Sequence, residues 1–496
     1  MARRSGFFAL AFGSGFAVLT IEIAGARLIA PVFGLSVVPW TAVIGTILAA
    51  LAAGSHLGGR LADAGKVPLS RVLVVASLTG ALPVIGSGFP WIAREMFGFI
   101  PGAVVSALVL FAPPVLCLGA VVPYLVQADT DDLGSVGRRA GDISASATTG
   151  SIIGSFVTGF VLLPLMPLPT LLGITAGALM LMAVASTRIL GGQTHSGQAA
   201  AAVIGLPILG VLASGLPPDA LHAEQTLHTA VSVTERPWAD GRIVRELWQN
   251  GGSSSAEYVE SGAPAHVYAT MSLEMLMTRL DRVDRALILG GAALSLPVAL
   301  QEARSGQDTG SGMEIDVVEI DDAVTQLARE YFAFGERDRP GIRVYHDDAR
   351  VFLRSGDDRY DVVYLDVFDH LLTVPWTMVT EEALSEMRAR TAADGVFMAN
   401  VLSPLEGDGT AFLARFRTTL EGVFPASRIY MTDPDTDPGA TQNLIVMGAE
   451  TETAFAELDG SWILARVPAS GRALTDDWAP VESLQARVFM GGLRWR

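Results

Sequence analysis

The sequence predicts two kinds of fold in one chain. A polytopic α-helical half over residues 1–222 is followed by a small β-domain over 223–275 and an α/β domain over 276–496. Three observations carry that reading. The chain has 496 residues and is 50% hydrophobic but only 17% charged, against about 25% charged in ordinary soluble domains, so much of it is not patterned to meet water. The charges are divided unevenly: residues 1–222 hold ten Lys or Arg and eight Asp or Glu, whereas the remainder holds 24 basic and 43 acidic residues. Beyond the join at Leu216-Pro217-Pro218-Asp219, strand and helix patterns alternate, as they do where crossover helices connect parallel strands.

In the first half, apolar segments run over 7–31, 39–59, 72–92, 102–126, 143–165, 168–187 and 198–216. Each approaches the roughly 20 residues that cross a bilayer core. Their succession, with no cleavage logic for the first, argues against a signal peptide. A multi-pass membrane domain with the lipid bilayer as its partner is therefore expected, in a cell (inner) membrane. Arg3, Arg4, Arg60, Lys66, Arg71, Arg138, Arg139 and Arg188 fall on one side if the N-terminus is inside, with Arg94 alone in an outer loop. Seven crossings would carry the acidic half outside, so either the segment at 198–216 does not span or the acidic half works there. Glu22, five residues before Arg27 inside the first segment, is either a functional charge or half of a structural pair.

Composition also excludes functions. A net charge of −17 disfavours phosphate backbones, so no nucleic-acid partner is expected. Cys117 is the one cysteine, which leaves no internal disulfide and no thiolate cluster; in an apolar run it reads as a small buried hydrophobe. His56, His195, His222, His228 and His346 lack ligand spacing, and no metal is expected.

In the second half, short strands with turns occupy about 229–270, including Ala230–Val233 and Ile243–Trp248 before the turn Asn250-Gly251-Gly252. Met271, Met275 and Met277 read as packing residues. A buried strand, Ala286–Leu289, ends in Gly290-Gly291, with a helix at about 294–304. The next strand, 315–319, ends in Glu319 before a helix at about 322–332. A third, 342–345, runs into His346-Asp347-Asp348-Ala349, and a fourth, 360–365, ends in Asp366. A helix near 380–391 leads to the strand Gly395–Asn400. Ligands of such sheets bind outside the carboxyl ends of the strands, where Gly290, Gly291, Glu319, Asp348 and Asp366 fall. Glycine lets backbone approach a ligand closely, Glu319 suits a ribose diol, and Asp348 suits an adenine amino group. Asp321, Asp322 and Asp347 read instead as helix N-caps. A nucleoside-bearing ligand follows, and the absence of a full G-x-G-x-x-G argues against NAD or FAD.

Residues 229–450 resemble the spermidine synthase (polyamine aminopropyltransferase) family. The resemblance rests on Leu289-Gly290-Gly291, Val318-Glu319-Ile320-Asp321, Asp347-Asp348-Ala349 and Tyr360–Asp369, in that order and spacing. The whole chain is similar to the membrane-fused form of that family, which Glu22, Arg27, Pro31, Gly34 and Trp40 also fit. The resemblance implies a Rossmann-like, methyltransferase-type sheet preceded by a small β-domain. It implies S-adenosylmethionine or its decarboxylated form as substrate, bound by Gly290, Gly291, Glu319, Asp347, Asp348 and Ala349. It makes Asp366 the catalytic acid, with Asp369 beside it and Tyr268 in the active site. The implied reaction is attack of an amine such as putrescine on the carbon beside a sulfonium, releasing methylthioadenosine. A homo-oligomer is compatible with it.

Two departures keep alternatives open. Ala293 stands where the family usually has an acid, and His266, Val267, Ala269 and Thr270 around Tyr268 supply no acid for a diamine's far end. Alanine at 293 would not repel the carboxylate of intact S-adenosylmethionine, so a lyase giving methylthioadenosine plus homoserine lactone, or a methyltransferase, stays open. His370 replaces the proline that commonly follows the second aspartate, at the start of a gate loop over 370–376. A transporter or sensor that only binds the nucleotide is the third class.

Overall fold

The computed structural model describes residues 2–34, 37–129, 136–190, 196–213, 219–226, 228–238, 240–279, 282–305, 312–368 and 374–490. They fall into two compact units, one comprising Met1–Leu216 with Gln225–Leu227, the other Pro217–Glu224 with His228–Arg496.

Among the described residues, Ala2–Ala213 of the first unit is built from helices and their connections. Five helices are long and apolar enough to cross a membrane by length and composition: Arg3–Phe33, Val37–Ala64, Ala112–Asp129, Val136–Leu165 and Leu168–Leu190. A sixth span arises only if Leu69–Ile85 and Phe89–Phe97, bent by 74°, count as one. The seven segments read from the sequence are thus not seven spans among the described residues. The segment at 72–92 breaks at Gly86–Gly88 ahead of Pro90. That at 102–126 breaks at Phe111 before Pro113-Pro114, whose missing amide hydrogens cannot continue the ladder. The last segment lies in the helix Ser196–Ala213, of which Val203–Ala213 is a short apolar helix; residues 214–218 lie outside the described ones. Helices Ala2–Phe33 and Val136–Val157 pack backbone to backbone at Gly15 and Gly150, where any Cβ would strike the Ala147 or Phe12 carbonyl. Thr20 and Thr158 hydroxyls add a 2.9 Å hydrogen bond to this unit. Cys117 is buried, as expected.

The second unit holds two sheets. Strands β1 (Ala220–Gln225), β2 (Ala230–Pro237), β3 (Ile243–Gln249) and β4 (Gly252–Tyr258) form a four-stranded sheet in sequence order. Residues 267–277 form a helix, whose first four residues fall inside the stretch of about 229–270 read as strands. That helix buries Met271 and Met275 and leaves Met277 exposed. A seven-stranded sheet follows: β5 (Arg285–Leu289), β6 (Glu314–Val318), β7 (Ile342–Tyr345), β8 (Tyr360–Leu365), β9 (Thr391–Ser403), β10 (Ala426–Met431) and β11 (Gln442–Ala449). Their order across the sheet is β10-β11-β9-β8-β5-β6-β7, parallel except where β11 pairs antiparallel with β9 and β10. The strand runs are near-continuous Val, Ile and Leu because both faces are covered. One face packs Leu287, Val363, Phe397 and Leu444 with Phe412 and Phe416; the other packs Ile288, Val317, Tyr364 and Ile445 with Met275. The chain leaves β5 toward β6 and β7, then returns to β8 on β5's other side. That reversal makes β5/β8 a switch point, where a crevice opens at the carboxyl ends.

Candidate functional site at the carboxyl edge of the sheet

Gly290 and Asp366 meet at that switch point. The Asp366 amide donates to the Leu289 carbonyl at 2.8 Å, and the Gly290 amide to the Val318 carbonyl at 2.9 Å. Gly290 has φ +93°, and a Cβ there would collide with the Asp366 carbonyl, so glycine is required on both counts. The turn beyond it is strained. Ala292 (φ +42°) and Leu294 (φ +61°) occupy the left-handed region, at roughly 1–2 kcal/mol each for a residue with a Cβ.

Glu319 ties this turn to the end of β6. It is 6% exposed. Its Oε2 accepts from the Gly291 and Ala292 amides, both at 3.0 Å, and its Oε1 from the Asp321 amide at 3.1 Å. Burial pushes its carboxyl above the usual range, while the three amides hold it down. With about four acceptor sites on a carboxylate, the group retains capacity for a ligand hydroxyl. Asp321 caps the next helix through the Ala323 amide, as expected. At the end of β7 the cap is Asp348, not Asp347: Asp348 Oδ1 accepts from the Arg350 and Val351 amides at 2.8 and 3.1 Å. Asp347, two residues before the helix, lies too early to cap it and instead accepts from the Asp348 amide at 2.8 Å. Both acids are exposed, and Ala349 is partly buried as the first residue of that helix.

Asp366 lies in a different environment. Burial pushes its carboxyl up to about 7, opposed by hydrogen bonds from Asn400 and Tyr268. Asn400 Nδ2 donates to its Oδ1 at 3.0 Å. Tyr364, whose hydroxyl is 3.1 Å from Ser272 Oγ, also faces it. Burial and the neighbouring carboxylate hold both phenols well above their ordinary value, so Tyr268 is a donor at neutral pH. Beside Tyr268 stand the rings of His266 and Trp238, with Ser253 linking His266 to the buried Glu246. His266 lies 5.6 Å from the Tyr268 ring and 6.2 Å from Trp238, and burial lowers its imidazole to about 4.

Shared bonds and backbone contact thus join Gly290, Gly291, Glu319 and Asp366, while Tyr268 faces Asp366 and donates its hydroxyl to the Ser254 carbonyl at 3.4 Å. Asp347, Asp348 and Ala349 stand at the end of β7, with local hydrogen bonds. Asp369 and His370 lie outside the described residues. Ala293 does not border open space. It is fully buried among Val231, Val233, Leu247, Val324 and Phe332. Sequence reasoning gave no role to Asn400, Asn443 or Glu257. Glu257 is 2% exposed and accepts from the Ala333 amide at 2.9 Å and Ser295 Oγ at 3.3 Å; burial raises its carboxyl to about 7. The signal for Asn400 was one amide inside an otherwise apolar strand.

The sheet order and the strand-end site define a Rossmann-like α/β protein of the methyltransferase type. Within that class, part of the chain is similar to proteins named polyamine aminopropyltransferase. It is 32% identical over 139 residues to the polyamine aminopropyltransferase of Vibrio vulnificus, covering 27% of this chain and 43% of that protein. It is 28% identical over 233 residues to a probable polyamine aminopropyl transferase of Bifidobacterium longum, covering 41% and 49%. The chain spans about half the length of these curated relatives. No protein-family model matches it. Among solved structures it is similar to a probable spermidine synthase from Corynebacterium glutamicum (18% identity, TM-score 0.40, 57% of this chain and 97% of that one). It is also similar to the spermidine synthase of Thermotoga maritima (19%, 0.38, 49% and 77%).

Proposed function

We propose that the chain is a membrane-bound aminopropyltransferase that joins an amine such as putrescine to the propyl arm of decarboxylated S-adenosylmethionine. The observation that carries this reading is Asp366: a carboxylate at the switch point, tuned to about 7 and flanked by a phenol donor. A protonated amine has no lone pair, and a base near neutral pH suits its deprotonation. Asp366 takes the ammonium proton, and the freed nitrogen attacks the methylene beside the sulfonium. The carbon–sulfur electrons then return to sulfur, and methylthioadenosine leaves. Tyr268 and Asp369 orient the amine. Glu319 receives the ribose diol, Asp348 the adenine amino group through the oxygen its cap leaves over, and Gly290 and Gly291 let the turn close on the nucleoside, with Asp347 and Ala349 at the adenine end. The chemistry needs no metal.

Membrane residence is supported by where the first unit keeps its large apolar side chains. Phe160 and Leu165 are 72% and 73% exposed, and Leu48, Ile85, Phe156 and Leu181 are exposed as well. Water would penalise that surface and lipid would not. Lipid and a small-molecule amine are therefore the proposed partners.

A second reading, in which intact S-adenosylmethionine is the substrate of a lyase or methyltransferase, rests on the sequence alone, since Ala293 is packed in an apolar cluster and does not face the crevice. The detergent-solubilised protein is tested with S-adenosylmethionine or its decarboxylated form, each with and without putrescine. Methylthioadenosine from the decarboxylated form, only with amine, supports aminopropyl transfer. Release from intact S-adenosylmethionine without amine overturns it in favour of the lyase.

A further inference from the structure

We propose that Asn400, held by Asn443, is a positioning residue that aims the Asp366 carboxylate at the reacting nitrogen; this rests on Asp366 being the proton acceptor. Asn400 is 3% exposed, near the carboxyl end of β9. Its Nδ2 lies 3.0 Å from Asp366 Oδ1, and its Oδ1 accepts from Asn443 Nδ2 at 2.9 Å. Asn443 stands opposite Leu402, and Ile445 opposite Asn400, so the two amides are diagonal neighbours on one face of β9 and β11.

An ionised carboxylate only accepts, so Asn400 must turn its NH2 toward Asp366 and its oxygen away. Away from Asp366, that buried oxygen needs a donor, and Asn443 supplies it. The chain Asn443→Asn400→Asp366 therefore has one polarity while the acid is ionised. Oδ1 is committed to the amide, which leaves the second oxygen for the substrate's proton. A neutral amide suits this place better than a cation. Lys or Arg would stabilise the carboxylate so strongly that it would stop being a base near neutral pH. Among the described residues, the titratable groups facing Asp366 are Tyr268 from the helix Val267–Met277 and Tyr364 from β8, both neutral phenols.

The test is the pH profile of methylthioadenosine release by full-length Asn400→Leu and Asn443→Leu. Losing a hydrogen bond to a charged group should raise the half-maximal pH by about one unit in Asn400→Leu. Its kcat should fall about tenfold or more, with KM for the nucleotide within about twofold. Asn443→Leu, which does not touch Asp366, should move the profile the same way by about half as much. Asn400→Gln, which keeps the donor, should restore part of the shift and serves if Asn400→Leu does not fold. An unshifted profile in both Leu variants, even with lower rate or lower Tm, overturns the relay. If the wild type releases no methylthioadenosine from either sulfonium nucleoside, the catalytic reading fails by itself. The relay is then judged by carboxyl ¹³C titration of Asp366, assigned by its loss in Asp366→Asn. A shift of about one unit in Asn400→Leu supports it, and no shift overturns it.

Discussion

Asp366 and Asp348 occupy equivalent places, each just after a parallel strand at the same edge of one sheet, yet their surroundings assign them opposite work. Asp348 is exposed, and its Oδ1 is satisfied by backbone amides of the helix it caps. Asp366 is held by an amide and a phenol in a setting that pushes its carboxyl up to about 7. One is committed to a helix terminus, with an oxygen left for a ligand, and the other is poised to exchange a proton. Position in the topology selects both; desolvation decides which of them can act as a base.

The sharpest way to break this comparison is Asp366→Asn, which removes the base and keeps the shape. Turnover should fall by at least about a thousandfold, with nucleotide affinity nearly unchanged by calorimetry. Equal loss of both would put Asp366 on the binding side. Glu319→Gln should do the reverse. A Gln amide can accept backbone N–H bonds at one position only, sets its NH2 against an N–H at the other, and loses the charge-assisted bonds to a diol, so nucleotide affinity should weaken by about tenfold or more, with a smaller effect on kcat.

The two corners should also differ with pH. Asp366 and Glu257 have folded-state values raised from 3.8 and 4.5 to about 7. Ionising them costs more in the fold than in the unfolded chain, so their contribution to stability is full below about pH 4 and is lost as pH rises through about 7. Tm should therefore decline between pH 5 and 8, and Asp366→Asn should flatten part of that slope. A Tm that rises over this interval in the wild type and is unaffected by the substitution would remove desolvation as the cause. Activity should move oppositely, increasing through pH 7 as the base ionises.

Asp348→Ala should be milder. Loss of an N-cap costs about 1 kcal/mol, visible as a shift of a few degrees in Tm, together with weaker nucleotide binding and an unshifted pH profile. Smallest of all is Ala292→Gly, which should stabilise by about 1 kcal/mol by relieving the left-handed φ at +42°. A loss of stability there would mean that the Ala292 methyl packs better than its backbone strains.

What the sequence revealed, and what it hid, follows the same physics. Gly290, Gly291, Glu319 and Asp366 were legible because each ends a strand whose apolar run is unambiguous. The cap was assigned one residue early, to Asp347 rather than Asp348, because adjacent aspartates look alike until the helix's first turn is placed. Asn400, Asn443 and Glu257 were silent because their roles depend on partners 34, 43 and 76 residues away in the chain. The start of the helix Val267–Met277 falls inside the stretch that reads as strands, to about 270, because its apolar residues lie on several sides of it and leave no helical stripe. In the first unit, composition made the apolar helices plain but not their breaks, which are set at Gly86–Gly88 and Pro113-Pro114.

The measurement that tests the account most directly is single-turnover release of methylthioadenosine from decarboxylated S-adenosylmethionine with putrescine, by wild type and Asp366→Asn, at pH 6 and pH 8. The account predicts faster release at pH 8 in the wild type and almost none at either pH in the variant, with both proteins binding the nucleotide equally. Release by the variant at the wild-type rate would contradict it.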